Sequence, residues 1–158
     1  NYIGNCIFKN HIYLIFKMGN LQSTIRKTNF EDVQYAINNP TSFILINTLN
    51  NNEQGCLIYN SICGDSEEEY INELMNKCNY DINIIIYGKH TDDENIMKKY
   101  NQLCGLKFKN VYIYQGGLFE WLLLQDIYGS DDFRTTSKQL DILKFKPSKK
   151  LNVKLLEY

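Results

Sequence analysis

Apolar and polar residues alternate along the chain in two patterns, which predict strands and helices in turn. Compact apolar runs of strand length lie at Phe43–Asn47, Ile82–Tyr87 and Val111–Tyr114. The run at 82–87 is apolar on both faces, as is typical of a central parallel strand covered by helices. A fourth run, CLIYNSI at residues 56–62, predicts a further strand.

Between these runs, apolar residues recur at the spacing of a helix face. Asn29 is placed to cap a short helix, FEDVQYAIN, and Asp65 with Ser66 is placed to cap the next one. The longer helices are predicted at residues 66–78, 92–104 and 118–128. Parallel strands joined by helices need right-handed crossovers, so the fold class is α/β, with a mostly parallel central sheet and helices on both faces.

The N-terminal residues carry a lipidation pattern. The apolar residues of segment 1–17 are interrupted by polar ones, which excludes a membrane span and disfavours a signal peptide. Met18 begins MGNLQS, which fits the myristoylation pattern with Gly19 as acceptor. We therefore expect Met18 to be the natural start, residues 1–17 to lie upstream of it, and a cytoplasmic protein to meet a membrane surface through Gly19.

Composition narrows the function classes. The 158 residues, 44% of them hydrophobic, suffice for one core, which predicts a single globular domain. The 17 basic and 18 acidic side chains nearly cancel and no basic stripe is present, so nucleic acid is not an expected partner.

Five cysteines are scattered along the chain without any Cys-x-x-Cys pair. Zinc sites use paired ligands at short spacing, and disulfide frameworks use an even count in smaller chains. We therefore expect reduced thiols and neither a metal nor a cofactor. The cysteines are Cys6, Cys56, Cys63, Cys78 and Cys104.

The segment LKFKNVYIYQGGLFEW, residues 106–121, resembles the hallmark of rhodanese-like domains. In that family a helix ends at a glycine, a strand follows, and a Gly-Gly turn leads to an aromatic residue and a tryptophan. Here Gly116 and Gly117 form the turn and Trp121 is the tryptophan. The resemblance implies a three-layer fold in which these three residues support or bind at the active-site loop.

The resemblance sets the expected domain limits. It spans about residues 29–130, which leaves 1–28 as an N-terminal extension and 131–158 as a C-terminal tail. Asn47 stands where the family usually has an acidic residue, and Cys56 where it has a histidine. The run after Gly116 also resembles rhodanese-like proteins of protists and large DNA viruses.

Active rhodaneses begin the loop after the central strand with a cysteine that carries sulfur as a persulfide. The resemblance implies that this cysteine would follow Tyr87, where Gly88 stands. The place of the anion-binding arginine carries Asp93. Thr91 and Glu94 have the spacing of a capping box, which predicts that the loop amides are used internally. The candidate loop comprises Gly88, Lys89, His90, Thr91, Asp92 and Asp93.

Two function classes follow. The first is a noncatalytic rhodanese-like module that docks an unknown protein partner or regulates it. The second is a sulfurtransferase with an unconventional cysteine, either Cys56 or Cys63; a phosphatase of related fold is less favoured because it needs the same missing residues. A metal site at His90, Asp92 and Asp93 is less favoured than a solvated helix cap.

Overall fold

Five parallel strands form the centre of the part of the chain that a computed structural model describes, residues 25–151. Their order across the sheet is β1-β5-β4-β2-β3, and every neighbouring pair is parallel. The α/β fold with a parallel central sheet is confirmed, and the three predicted strands are neighbours. The strands are β1 Lys27–Thr28, β2 Phe43–Asn47, β3 Ser61–Ile62, β4 Asn83–Tyr87 and β5 Asn110–Tyr114.

Four α-helices in this part of the chain cover both faces of the sheet. They are α1 Phe30–Asn38, α2 Gly64–Asn76, α3 Glu94–Gly105 and α4 Gly117–Tyr128. Helices α1 and α4 pack on one face and α2 and α3 on the other. Short 3-10 turns occur at Asn51–Glu53 and Ile142–Phe145.

Strand β4 shows why the sheet is central. Ile84 and Ile86 point into the core beneath α2 and α3, while Ile85 and Tyr87 point into the core beneath α1 and α4. All four are buried. A strand that is apolar at every position is stable only between two helix layers, as its sequence predicted.

The predicted helix cap is confirmed at α1 and is wrong at α2. The Asn29 side chain accepts a hydrogen bond from Asp32 N (3.0 Å) and Asp32 accepts one from Asn29 N (3.1 Å), so the predicted cap of α1 is confirmed. The predicted cap of α2 at Asp65 and Ser66 is wrong, because α2 begins at Gly64. The Gln54 side chain accepts the hydrogen bond of Gly64 N at 3.1 Å and supplies a cap from a distant loop.

The predicted strand at 56–62 is shorter than expected. Only Ser61–Ile62 pairs with β2, because Asn60 adopts a left-handed conformation (φ 62°) and turns the chain. Leu57 and Tyr59 instead pair with the chain at residues 134–136: Tyr59 N donates to Arg134 O at 3.0 Å and Thr136 N to Leu57 O at 2.8 Å.

Part of the predicted C-terminal tail packs on the domain. Phe133 and Phe145 are buried in the core beneath α1 and α4, and Thr135 forms a bridge with Ile58. The packed unit therefore extends at least to Phe145. Within residues 25–151, no helix is long and apolar enough to cross a membrane. Met18, Gly19 and Cys6 lie outside the described residues.

Candidate active-site loop

The loop Gly88–Asp93 follows β4 at the carboxyl edge of the sheet, where parallel α/β sheets place their functional loops. The first turn of α4 holds it in place. Leu118 N donates to Gly88 O at 2.9 Å, and Phe119 N donates to Lys89 O at 2.8 Å. The free amides at a helix start thus fix the backbone of the loop.

Gly117 is the position at which this contact requires glycine. Its φ is +63°, and a Cβ there would lie 2.7 Å from Gly88 O and 2.8 Å from His90 N. At neighbouring Gly116, the Glu120 side chain folds back over the space that a Cβ would occupy. The Gly-Gly turn therefore lies beside the loop, as the family resemblance implied.

Trp121 is buried behind this turn and cannot contact a docked protein itself. Its ring packs edge-on against Tyr114 and Phe133, at centroid distances of 6.3 and 5.0 Å. Its Nε1 donates a 3.2 Å hydrogen bond to Arg134 O. The role of Trp121 is thus to join α4 to the sheet and to the C-terminal segment.

The Asp93 carboxylate occupies the centre of the loop. Its Oδ2 accepts hydrogen bonds from Lys89 N (3.1 Å) and from the Thr48 hydroxyl (3.3 Å), while Oδ1 accepts from Asn95 N (3.0 Å). The predicted Thr91–Glu94 capping box is wrong, because α3 begins at Glu94 and Asp93 holds the cap position. Lys89 N is hydrogen-bonded within the loop, as predicted, but its acceptor is Asp93 and not Thr91 or Glu94.

The space beside Gly88 is filled. A Cβ at Gly88 would lie 2.4 Å from Asp93 Oδ2 and 2.9 Å from Ile96 Cγ1. Cβ atoms do not approach other heavy atoms this closely without a shift of the neighbour. The carboxylate of Asp93 and a side chain at position 88 therefore compete for one volume.

Two ion pairs tie the loop to other segments. Lys89 Nζ lies 2.8 Å from Glu53 Oε2, and both side chains are largely shielded from solvent. Asp92 pairs with Lys150 at 2.6 Å on the surface, and the hydrogen bond from Lys150 lowers the pKa of Asp92. His90 Nδ1 accepts a hydrogen bond from Asp92 N at 3.2 Å.

The loop after β2 forms the second wall of the site, a position that no local sequence pattern indicated. Thr48 contacts Asp93 and Glu53 contacts Lys89, as given above. Asn47 and Gln54 form a reciprocal amide pair, with hydrogen bonds of 3.2 and 2.8 Å. Their side chains bond Ile62 O, Leu49 N and Gly64 N, so the buried Asn47 is fully partnered where the family usually has a charge.

The family model for the rhodanese-like domain matches residues 30–124. The chain belongs to the rhodanese-like domain family. A comparison with curated protein sequences finds no match. The narrower similarity to proteins of protists and large DNA viruses stays a prediction.

Solved structures share the fold of this rhodanese-like domain. The Alr3790 protein from Anabaena has a TM-score of 0.51 at 16% identity, covering 74% of this chain and 97% of that one. The BH2092 protein from Bacillus halodurans has a TM-score of 0.51 at 17% identity, covering 78% and 83%. Ygr203w, a yeast protein tyrosine phosphatase of the rhodanese family, has a TM-score of 0.53 at 14% identity, covering 76% and 97%. At these identities the likeness concerns the fold alone.

Neither candidate cysteine of this rhodanese-like domain forms a hydrogen bond with loop residues 88–93 in the part of the chain that the structure describes. Cys56 is buried, its thiol donates to Ser137 O at 3.2 Å, and burial raises its pKa. Cys63 is exposed and lies just after β3, which β2 separates from β4. Two strand spacings amount to roughly 10 Å. No group of three or more metal-binding side chains forms within residues 25–151.

Proposed function

We propose that this rhodanese-like domain is a noncatalytic interaction or regulatory module. One observation supports the proposal above all. Gly88 stands in the place of the family's cysteine, and the Asp93 carboxylate fills the space beside it. Sulfur transfer needs a thiolate at this turn to accept the sulfur atom. Glycine offers no such group.

The electrostatics of the loop support the same proposal. Rhodanese substrates are anions, and anion sites use free backbone amides or positive charge. Here the amide of Lys89 is bonded to Asp93, and the ammonium of Lys89 is paired with Glu53. Asp92, Asp93 and Glu94 add negative charge at the start of α3. A thiosulfate ion would therefore be repelled.

The alternative function is a sulfurtransferase that uses Cys63 or Cys56. Cys63 is exposed, which favours it over Cys56, whose raised pKa keeps it protonated near neutral pH. Within residues 25–151, neither thiol is hydrogen-bonded to the amides of loop 88–93, which correspond to those that the family uses to hold the persulfide. The described contacts therefore favour the noncatalytic module.

A thiosulfate:cyanide sulfurtransferase assay tests the proposal. We expect no thiocyanate above the uncatalysed rate from the wild type, and little from Gly88→Cys, because the new thiol meets the Asp93 carboxylate. Gly88→Cys with Asp93→Arg should exceed the single variant by more than the separate effects combined, because the carboxylate beside the thiol is removed and a cation is supplied. Gly88→Cys with Asp93→Ala is the matched control, which removes the carboxylate without adding the cation.

Robust turnover by the wild type that is lost in Cys63→Ser or Cys56→Ser would contradict the proposal. It would assign the alternative function and identify the nucleophile. Wild-type turnover that survives both substitutions would contradict the proposal equally, since it would require a third nucleophile.

We also propose that the module meets a membrane through acylated Gly19. Its support is the MGNLQS pattern beginning at Met18. Cells that express the protein with a myristate label should incorporate the label into the wild type and not into Gly19→Ala, and the variant should shift to the soluble fraction. Peptides from residues 1–17 detected in the natural protein would contradict the start at Met18.

A further inference from the structure

A cleft of about 630 Å³ lies between α4 and the segment 130–142, which folds back across it. This volume is in the range of known ligand sites. None of the loop residues 88–93 lines it, and most of its lining lies beyond residue 124, where the family match ends. The lining includes Tyr59, Asp126, Arg134, Lys138, Leu140 and Ile142.

The wall that closes this cleft is held to the domain by several hydrogen bonds. Besides the pairing of residues 57–59 with 134–136, the Ser137 hydroxyl donates to Gly55 O at 2.7 Å. Thr136 Oγ1 accepts from Leu57 N at 3.0 Å, and the buried Phe133 and Phe145 anchor both ends. The cleft is therefore preformed, which lowers the entropy cost of binding there.

The charge in the cleft is positive. The Arg134 guanidinium stacks 4.9 Å from the centre of the Tyr59 ring and uses one nitrogen for a 2.6 Å hydrogen bond to Asn38. Its other N–H groups donate no hydrogen bond within residues 25–151, and Lys138 has neither an ion pair nor a hydrogen bond in this part of the chain. Asp126 on the opposite wall offsets one of the two positive charges. The remaining charge suits a single anionic group.

Part of the lining is apolar, with Leu122, Leu140 and Ile142 set among polar side chains such as Gln125, Ser130 and Gln139. The Leu140 side chain at the rim is 84% exposed, and Ile142 beside it is half-buried against α4. Helix α4 also exposes Leu123 and Ile127 on its outer side, the latter by 70%. Exposed apolar side chains mark interaction sites where they form a patch.

We propose that this cleft docks a protein partner through a peptide segment in which an acidic side chain is flanked by leucine-like side chains. The carboxylate pairs with Arg134 and Lys138, and the apolar side chains cover Leu140 and Ile142. Charge complementarity and the apolar rim together select this occupant over an uncharged or a purely acidic peptide. The inference rests on the proposed function, because a noncatalytic module acts by docking a partner.

Fluorescence anisotropy with the whole protein and a labelled peptide, acetyl-Gly-Leu-Leu-Glu-Leu-Leu-Gly-amide, tests the inference. We expect saturable binding, and weakening by about tenfold for Lys138→Glu and for a peptide with Gln in place of Glu. Leu140→Ser should weaken binding without a change in fold, because this side chain is almost wholly exposed. Lys98→Glu is the matched control: it makes the same charge change at an exposed lysine on α3 and should bind as the wild type does.

Failure to bind at about 1 mM peptide would overturn the inference. So would equal binding of the Glu and Gln peptides, or equal affinity of Lys138→Glu and Lys98→Glu. The sulfurtransferase assay tests the Gly88 loop, and the peptide-binding assay tests the cleft. If the protein shows neither sulfurtransferase activity nor peptide binding, only this inference is overturned. Sulfurtransferase activity would overturn the proposed function.

Discussion

At the residue scale, the candidate site depends on which side chain fills one small volume. The Asp93 carboxylate lies there, bonded to Lys89 N, Thr48 and Asn95 N. A Cβ at position 88 would lie 2.4 Å from the Oδ2 atom that accepts from Lys89 N and Thr48. The aspartate at position 93 can therefore occupy this volume only while position 88 is glycine.

This linkage can be measured as a coupling free energy of unfolding. Gly88→Ala should destabilise the wild type by about 1–3 kcal/mol, the usual cost of overpacking. In the Asp93→Ala background the cost should be smaller, because the nearest of the clashing atoms is gone. Urea unfolding of the wild type, both single variants and the double variant gives the coupling, and the same cost in both backgrounds would contradict the linkage.

Two buried tyrosines provide a second test at this scale. Tyr87 and Tyr114 are both buried, and burial raises the pKa of each hydroxyl, so both stay neutral. The Tyr87 hydroxyl accepts from Ile58 N at 3.2 Å and bonds Ser61 at 2.8 Å. The Tyr114 hydroxyl forms no hydrogen bond of acceptable distance and angle within residues 25–151, and the nearby Glu120 carboxylate raises its pKa further.

Tyr87→Phe should therefore destabilise the domain by about 1–3 kcal/mol, because it leaves a buried amide without an acceptor. Tyr114→Phe, at the equivalent register on the neighbouring strand, should be neutral or stabilising, because it removes an unpaired buried hydroxyl. Chemical denaturation compares the two variants. Equal losses would show that the hydrogen bonds of Tyr87 contribute nothing.

At the element scale, helix α4 determines the conformation of the loop after β4. Its first amides bond the loop carbonyls, and Gly117 lets the two backbones touch. The turn was predictable because a Gly-Gly pair between a strand and a helix is a local signal. The role of the loop after β2 was not, because Thr48 and Glu53 meet residues about 40 positions away only through the sheet.

Gly117→Ala should lower the melting temperature markedly, because a Cβ would strain a left-handed backbone and press on Gly88 O. Gly105→Ala is the matched control at the end of α3, where a Cβ meets nothing within 4 Å. It should be neutral or stabilising by up to about 1 kcal/mol, the helix preference of alanine over glycine. Thermal unfolding followed by circular dichroism gives both melting temperatures. A similar loss in Gly105→Ala would show that the effect is not specific to Gly117.

At the scale of the whole molecule, the three central strands and the two helix layers were largely predictable from local patterns. β2, β4 and β5 each form a compact apolar run, and the helices between them carry one apolar face. The C-terminal limit was not predictable in the same way. Phe133 stands singly among polar residues and Phe145 ends the short mixed run ILKF, and only the finished sheet and α4 provide the core that buries them.

Truncation tests this contribution of the C-terminal segment. Ending the chain after Tyr128 removes Phe133, Phe145 and the pairing of residues 134–136, and it should leave the domain unfolded or aggregating. Trp121, the one tryptophan of the sequence, is fully buried and packs on Phe133, so its emission should shift to the red. Ending the chain after Leu151 should preserve the wild-type spectrum, and a native spectrum for the shorter protein would show that the tail is dispensable.

The parallel strand order also determines when the chain can fold during its synthesis. The edge strand β1, at residues 27–28, pairs with β5 at residues 113–114, and Phe145 completes the core beneath α1 and α4. The first strand must therefore wait for most of the polypeptide to leave the ribosome before it finds its place. Contacts this distant in sequence slow folding and prolong the exposure of apolar strands. We expect nascent chains stalled before residue 114 to be protease-sensitive and to depend on chaperones, although almost all of the family domain has then been made.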